Sequence, residues 1–215
     1  MTVAQRYRWL WKPALFAAAL APAALMLGAA LGLTQASLGV DPVRTIIHRC
    51  GMTALQLLWL TLAVTPLRQL TGNNDLQRLR RMLGLFAAFY ASLHFMAWAW
   101  LDQGLDLRAI GNDIAKRPYI TIGLLALLLM APLAITSTNG WMRRLGLRWQ
   151  WLHRLVYPVA LLAVWHFWWQ VKKDYREPLA YAAMLSLLLG WRILRRRNRT
   201  RATSPSGSAT VPEKT

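Results

Sequence analysis

Six stretches of this chain are apolar for about as long as a bilayer is thick, and this limits the fold more than any other feature. A transmembrane helix needs roughly 20 mostly apolar residues. The stretches run from Pro13 to about Leu33, from about Ile46 to Leu67, from Met82 to Leu101, from Pro118 to about Thr136, from about Trp149 to Val171 and from about Pro178 to Leu194. The first is longer than the apolar region of a typical signal peptide, about 7–15 residues, and reads as a retained helix. The last is the weakest. Its charge-free core ends at Trp191, so Arg192 is expected to snorkel toward the interface. The expected fold is an all-α membrane protein, a bundle of about six transmembrane helices.

Composition agrees. Hydrophobic residues make up 56% of the 215 positions, charged residues only 16%, and the mean hydropathy is +0.28; a soluble domain carries more charge. The formal net charge of +18 suggests nucleic acid at first sight. The charges, however, lie between the apolar stretches and at the C-terminus, so anionic membrane lipids are the expected partner and nucleic acid is not.

The distribution of charge sets a topology. Arg6, Arg8 and Lys12 precede the first stretch; Arg68, Arg78, Arg80 and Arg81 follow the second; Arg143, Arg144 and Arg148 follow the fourth; Arg192, Arg195, Arg196, Arg197, Arg199 and Arg201 end the sixth. With six crossings these four groups share one side. Asp41, Asp102, Asp106, Asp113, Asp174 and Glu177 share the other. The positive-inside rule then places both termini in the cytoplasm. The chain divides into an N-terminal arm (1–12), a transmembrane domain (13–195) and a tail (196–215) that is first basic, then disordered from Thr203 by its Ser, Thr, Pro and Gly content. No internal repeat is apparent.

Cys50 is the single cysteine, which excludes an intrachain disulfide, a cysteine-ligated Fe–S cluster and a Cys-rich zinc site. There is no C-x-x-C-H stretch for covalent heme, and no G-x-G-x-x-G or G-x-x-x-x-G-K-[ST] stretch for a nucleotide. A transporter would show carboxylates inside its spans; all eight acidic residues lie outside them.

The histidines remain: His48, His94, His153 and His166. Taken singly, each reads equally well as a hydrogen-bonded core or interfacial residue. Depth is more informative. His94 lies seven residues before the end of the third stretch, and His166 about five before the end of the fifth. Both stretches run outward, so the two imidazoles sit at one depth near the periplasmic face. Paired imidazoles across a bundle are a usual axial ligand set for heme b. His153 precedes His166 by 13 residues, a rise of about 20 Å. At that level the third stretch carries Arg80 and Arg81, so a second bis-histidine heme is not expected. His153 is left as a ligand of another heme iron with a different partner, a contact to a propionate or quinone, or an interfacial residue. Arg154 is the candidate for a propionate or headgroup contact, and His48, beside Arg49, reads as interfacial. Most of the 12 tryptophans fall near span ends, as an aromatic belt does.

Several runs carry a wider likeness: Asp41-Pro42-Val43, Thr65-Pro66-Leu67, Arg80-Arg81-Met82-Leu83-Gly84-Leu85 before His94, and Arg117-Pro118-Tyr119. The most specific are Thr136-Ser137-Thr138, Arg143-Arg144-Leu145-Gly146, Trp149-Gln150 and Leu152-His153-Arg154-Leu155-Val156-Tyr157. With these the chain, from about residue 9 to 195, resembles the ferric reductase-like transmembrane family, and within it the heme-binding subunits of methionine sulfoxide reductase systems. The resemblance implies a redox subunit in the bacterial inner membrane. It would take electrons from the respiratory quinone pool and pass them through heme b to a periplasmic molybdopterin-containing reductase, its heterodimer partner, which repairs oxidised periplasmic proteins. The sulfoxide-reducing centre would be on that partner. The resemblance also implies FMN, which no residue here places, and maps the family's heme histidines onto His94, His153 and His166. The donor would be quinol or a flavin reductase. The alternative is a ferric or quinone reductase with a separate flavin-domain partner. A transporter or assembly factor without cofactor is the reading from another class.

Overall fold

The computed structural model of the protein describes residue 5 and residues 7–34, 37–171 and 174–202. The residues of the predicted disordered tail from 203 onward lie outside these. In chain order the helices are α1 (Lys12–Ala30), entered through a π-turn at Tyr7–Trp11, α2 (Pro42–Thr71), α3 (Leu76–Ala97), extended by a π-turn at Trp98–Asp102, α4 (Leu107–Lys116), α5 (Pro118–Ile135), the short α6 (Asn139–Leu145) and α7 (Leu147–Leu152), a 3-10 turn at His153–Leu155, α8 (Val156–Gln170) and α9 (Arg176–Ala202). No strand occurs among the described residues, and the fold is an all-α membrane bundle.

Five helical segments are long and apolar enough to cross a membrane: Trp9–Ala30, Pro42–Thr71, Leu76–Asp102, Pro118–Ile135 and Arg176–Arg195. The predicted segment at Trp149–Val171 has a different form. Its regular part, α8, has 15 residues and follows a 3-10 turn. Pro158 is the physical cause, because it has no N–H to offer the Arg154 carbonyl and its ring crowds that carbonyl. The segment nonetheless runs the length of α5 in the opposite direction. His166 meets Tyr119 at the start of α5, and Trp149 meets Thr136 just past its end.

Sequence signals set the helix ends. Prolines occupy the first positions of α2 and α5, where a missing N–H costs nothing. The Asp41 carboxylate accepts from the Arg44 N–H at 3.0 Å and caps α2. Gly72, at φ 68°, ends it in the left-handed conformation that glycine adopts without strain.

The core lies where α2, α3 and α8 meet, with Leu62, Ala87, Tyr90, Val159 and Ala160 at 1% exposure or less. Ala87 and Ala160 are small, which lets these helices approach closely. Elsewhere leucines and tryptophans face outward, among them Leu128, Leu161, Trp100 and Trp165, as surfaces bathed in lipid require. Tyr90 ties α1 to α3. Its hydroxyl accepts from the Ala23 N–H at 3.0 Å and donates to the Ala19 carbonyl at 2.7 Å. It thus stands inside one rung of the α1 ladder, next to the helix-breaking Pro22.

Candidate heme site

His94 projects from the last turn of α3 and His166 from just before the last turn of α8, and the bundle brings them together. Their ring centres are 6.0 Å apart with planes at 80°. Each ring is held from behind by a neighbouring helix. His94 Nδ1 is 2.8 Å from the Ile47 carbonyl on α2, and His166 Nδ1 is 2.7 Å from the Tyr119 carbonyl on α5. A carbonyl can only accept, so both Nδ1 atoms carry the proton and both Nε2 atoms keep a free lone pair.

The approach of ring to backbone needs room, and glycine gives it. Gly51 lies one turn beyond Ile47, and a Cβ there would stand 2.9 Å from His94 Nδ1. Gly123 lies one turn beyond Tyr119, and its Cβ would stand 2.8 Å from His166 Nδ1. The two halves of the site are therefore built alike. One offset along the chain relates Ile47 to Tyr119, Gly51 to Gly123, His94 to His166 and Phe95 to Phe167. The pair α2–α3 is repeated as α5–α8, a repeat that is not apparent from the sequence alone.

This geometry passes a simple test for heme. Two metal–imidazole bonds of about 2.0 Å, plus about 1.1 Å from each Nε2 to its ring centre, require ring centres roughly 6.2 Å apart; the observed value is 6.0 Å. Among the described residues no group of three or more His, Cys, Asp or Glu could hold a bare ion. A two-imidazole site suits a metal whose remaining ligands come from a macrocycle. The backbone carbonyls behind the rings are the outer partners that fix the tautomer and raise the basicity of such ligands.

The structure places the other predicted residues elsewhere. His153 sits in the 3-10 turn at the far end of α8. It stacks on Trp149 with ring centres 3.8 Å apart, its Nδ1 is 3.1 Å from the Trp149 carbonyl, and its Nε2 is 3.4 Å from the Ser137 hydroxyl. Trp149 is itself anchored to the Thr136 carbonyl at 3.0 Å. No second imidazole faces His153 among the described residues. Arg154 turns outward, its guanidinium 4.1 Å above the exposed Trp151 ring. His48 is exposed on α2.

Sequence reasoning missed the two carbonyls and the two glycines. A glycine in the middle of an apolar span, at one offset in both halves, is the signal that points to them.

Over residues 50–164 the chain matches the family described as ferric reductase like transmembrane component. It is 56% identical over 196 residues to the protein-methionine-sulfoxide reductase heme-binding subunit MsrQ of Xanthomonas campestris pv. campestris (strain 8004), covering 90% of each chain. It is 52% identical over 186 residues to the protein of that name from Bordetella pertussis, covering 85% of this chain and 88% of the relative.

Proposed function

The chain belongs to the ferric reductase-like transmembrane family, and from this we propose that it is the heme-carrying electron-transfer subunit of a methionine sulfoxide reductase system. The observation that carries the reading is the His94–His166 pair, two imidazoles with free Nε2 atoms and ring centres 6.0 Å apart. Heme b, when bound, supplies a one-electron Fe(III)/Fe(II) couple. The protein's own part is positional. The carbonyls of Ile47 and Tyr119 hold both rings in one tautomer, and Gly51 and Gly123 let them in.

The finer reading follows the charges. The arginine-rich end faces the cytoplasm of a bacterium, so the imidazole pair lies near the periplasmic face of the inner membrane. Electrons come from the quinone pool, or from a flavin donor with FMN in the path, and leave to a periplasmic molybdopterin-containing reductase that repairs oxidised proteins. Residues 34, 37–45, 102–117 and 174–177 form the described part of the surface offered to that partner. The Asp102–Arg117 segment carries both signs of charge, and its α4 is capped by Asp106 and closed by the Arg117–Asp113 ion pair at 3.3 Å. Such a mixed polar surface suits a transient complex.

The test is optical. Purified protein should show a reducible low-spin b-type spectrum, and His94→Ala or His166→Ala should each abolish the bis-imidazole signal. An unchanged low-spin spectrum in both variants refutes the ligand pair.

A further inference from the structure

The repeat that builds the imidazole site leaves one place unfilled. In its first half, α1 packs along α3 through two anchors. The Phe86 ring meets the Phe16 ring edge-on with centres 5.2 Å apart, and the Tyr90 hydroxyl enters the α1 backbone between Ala23 and Ala19. The offset that relates His94 to His166 carries Phe86 and Tyr90 onto Pro158 and Leu162 of α8. Among the described residues no counterpart of α1 covers that face, because the helix before α5 is α4, with only 10 residues. In its place lies an open groove of about 650 Å³ between α8 and α9, walled by Pro158, Leu161, Leu162 and Trp165 on one side and by Leu185 and Ser186 on the other.

The walls determine what kind of body fits. On α3 a hydroxyl satisfies the backbone of the helix it holds; the matching position on α8 is Leu162, which can satisfy none. The Ser186 hydroxyl is spent, donating to the Ala182 carbonyl at 2.9 Å. The other polar side-chain atoms of the groove are the indole N–H groups of Trp165 and Trp168, both at the His166 end. The fitting occupant is therefore hydrocarbon along most of its length, with acceptors at the indole end. Trp168 leans on Tyr175 there, ring centres 5.7 Å apart, and such side chains gather at the level of lipid headgroups. From Trp168 to Pro158 the helix rises about 15 Å, half of a hydrocarbon core about 30 Å thick and so the depth of one leaflet. Leu185 is buried in the groove, whereas Leu161 and Trp165 stand half exposed. Left empty, such walls forfeit their dispersion contacts.

We propose that the α8–α9 groove is a binding site for the acyl chains of one phospholipid from the leaflet on the imidazole side, with its ester carbonyls accepting from the Trp165 and Trp168 N–H groups. The site requires neither heme nor a partner protein, and it does not rest on the function proposed above.

The test uses the purified full chain in detergent with an equimolar phosphatidylcholine that carries a photoactivatable diazirine in its acyl chain, followed by peptide mapping. Label should concentrate on α8 and α9 beside the groove, in preference to Leu125 and Leu128 of α5, which are as exposed as Leu161 and Trp165. Ser186→Phe places a ring in the groove and takes away the contacts of the chain. Groove labelling should then fall about fivefold, roughly 1 kcal/mol, while α5 labelling and the heme spectrum stay unchanged. Trp165→Phe keeps an aromatic ring and removes one N–H; it should lower groove labelling about two- to tenfold, the worth of one hydrogen bond, and it carries the test if Ser186→Phe does not fold. Equal labelling of the two faces, or groove labelling that both substitutions leave unchanged, overturns the proposal. Displacement of the lipid by an equimolar isoprenoid quinone would give the groove to a quinone tail instead. A disulfide-linked dimer of Ser186→Cys in oxidised membranes would give it to a second copy of the chain. Either result also overturns the proposal.

Discussion

Gly51→Ala and Gly123→Ala test how the protein sets the properties of its paired imidazoles. An alanine Cβ at position 51 would stand 2.9 Å from His94 Nδ1 and 3.1 Å from Cε1; at 123 it would stand 2.8 Å from His166 Nδ1 and 2.9 Å from Cε1. Ordinary carbon contacts lie at about 3.5–4.0 Å, so each ring must retreat by roughly 0.6 Å or more. The ring–carbonyl bonds, now 2.8 and 2.7 Å, would then stretch to about 3.4 Å, beyond the useful range. Such a bond is worth about 0.5–1.5 kcal/mol net. It makes the imidazole a stronger donor to iron, and so favours the ferric state. For a one-electron couple 59 mV corresponds to about 1.4 kcal/mol. If most of the bond's worth differs between oxidation states, each alanine raises the midpoint potential by roughly 20–60 mV. Spectroelectrochemistry of the purified variants measures this directly. Gly84→Ala is the control: it lies on the His94 helix, but its Cβ would meet Thr61 Cγ2 at an ordinary 3.7 Å. Potentials of both test variants within about 10 mV of wild type, with heme retained, would refute the reasoning.

Further tests address other parts of the structure. Tyr90→Phe leaves the Ala23 N–H and Ala19 carbonyl without their bridge inside the protein and should cost about 1–3 kcal/mol, read as a lower unfolding midpoint in detergent with the heme spectrum unchanged. Reporter fusions at residue 215 and in the loop at Gly111 should report opposite sides of the membrane; the same side for both would end the six-crossing topology. His153→Ala should slow reduction of the heme by its donor and leave reoxidation by the proposed periplasmic partner intact, as stopped-flow absorbance in membranes would show. Impaired reoxidation with normal reduction would reverse the placement of the two ends.

Much of this was legible in the sequence, for identifiable reasons. Apolar length marks spans because lipid offers no other solvent for twenty side chains. Depth along two parallel spans placed His94 and His166 at one level because rise per residue is fixed in a helix, and it left open whether the two spans touch. The break at His153–Leu155 was less legible, since the apolar run continues across it and Pro158 alone marks it. The fate of the charges near the arginine-rich end was not legible. Arg192 turns inward and Arg154 outward, and one residue of helical rotation, invisible to composition, decides between those directions. The carbonyls behind the imidazoles were hidden for a related reason, because every residue has one and only the glycine one turn beyond reveals which is used.

Prolines and the polar side chains of other helices are coupled in this fold. A proline inside a span leaves a carbonyl without its N–H and loosens the ladder around it, which in lipid must be repaired from elsewhere. One residue past Pro22, which frees the Ala18 carbonyl, the Tyr90 hydroxyl from α3 bridges the neighbouring rung between Ala19 and Ala23. For Pro66 the repair is the Arg192 guanidinium from α9, donating to Leu62. Each of these links joins helices distant in sequence, so the prolines fix tertiary contacts as well as local bends. The second link does more, because a guanidinium recruited for one carbonyl brings a whole charge with it. The Leu62 carbonyl needs only one N–H, and a neutral donor would have served. Arg192 instead leaves a buried Nε–H without a partner. Structural repair of α2 therefore accounts for one bond of this arginine and not for its charge.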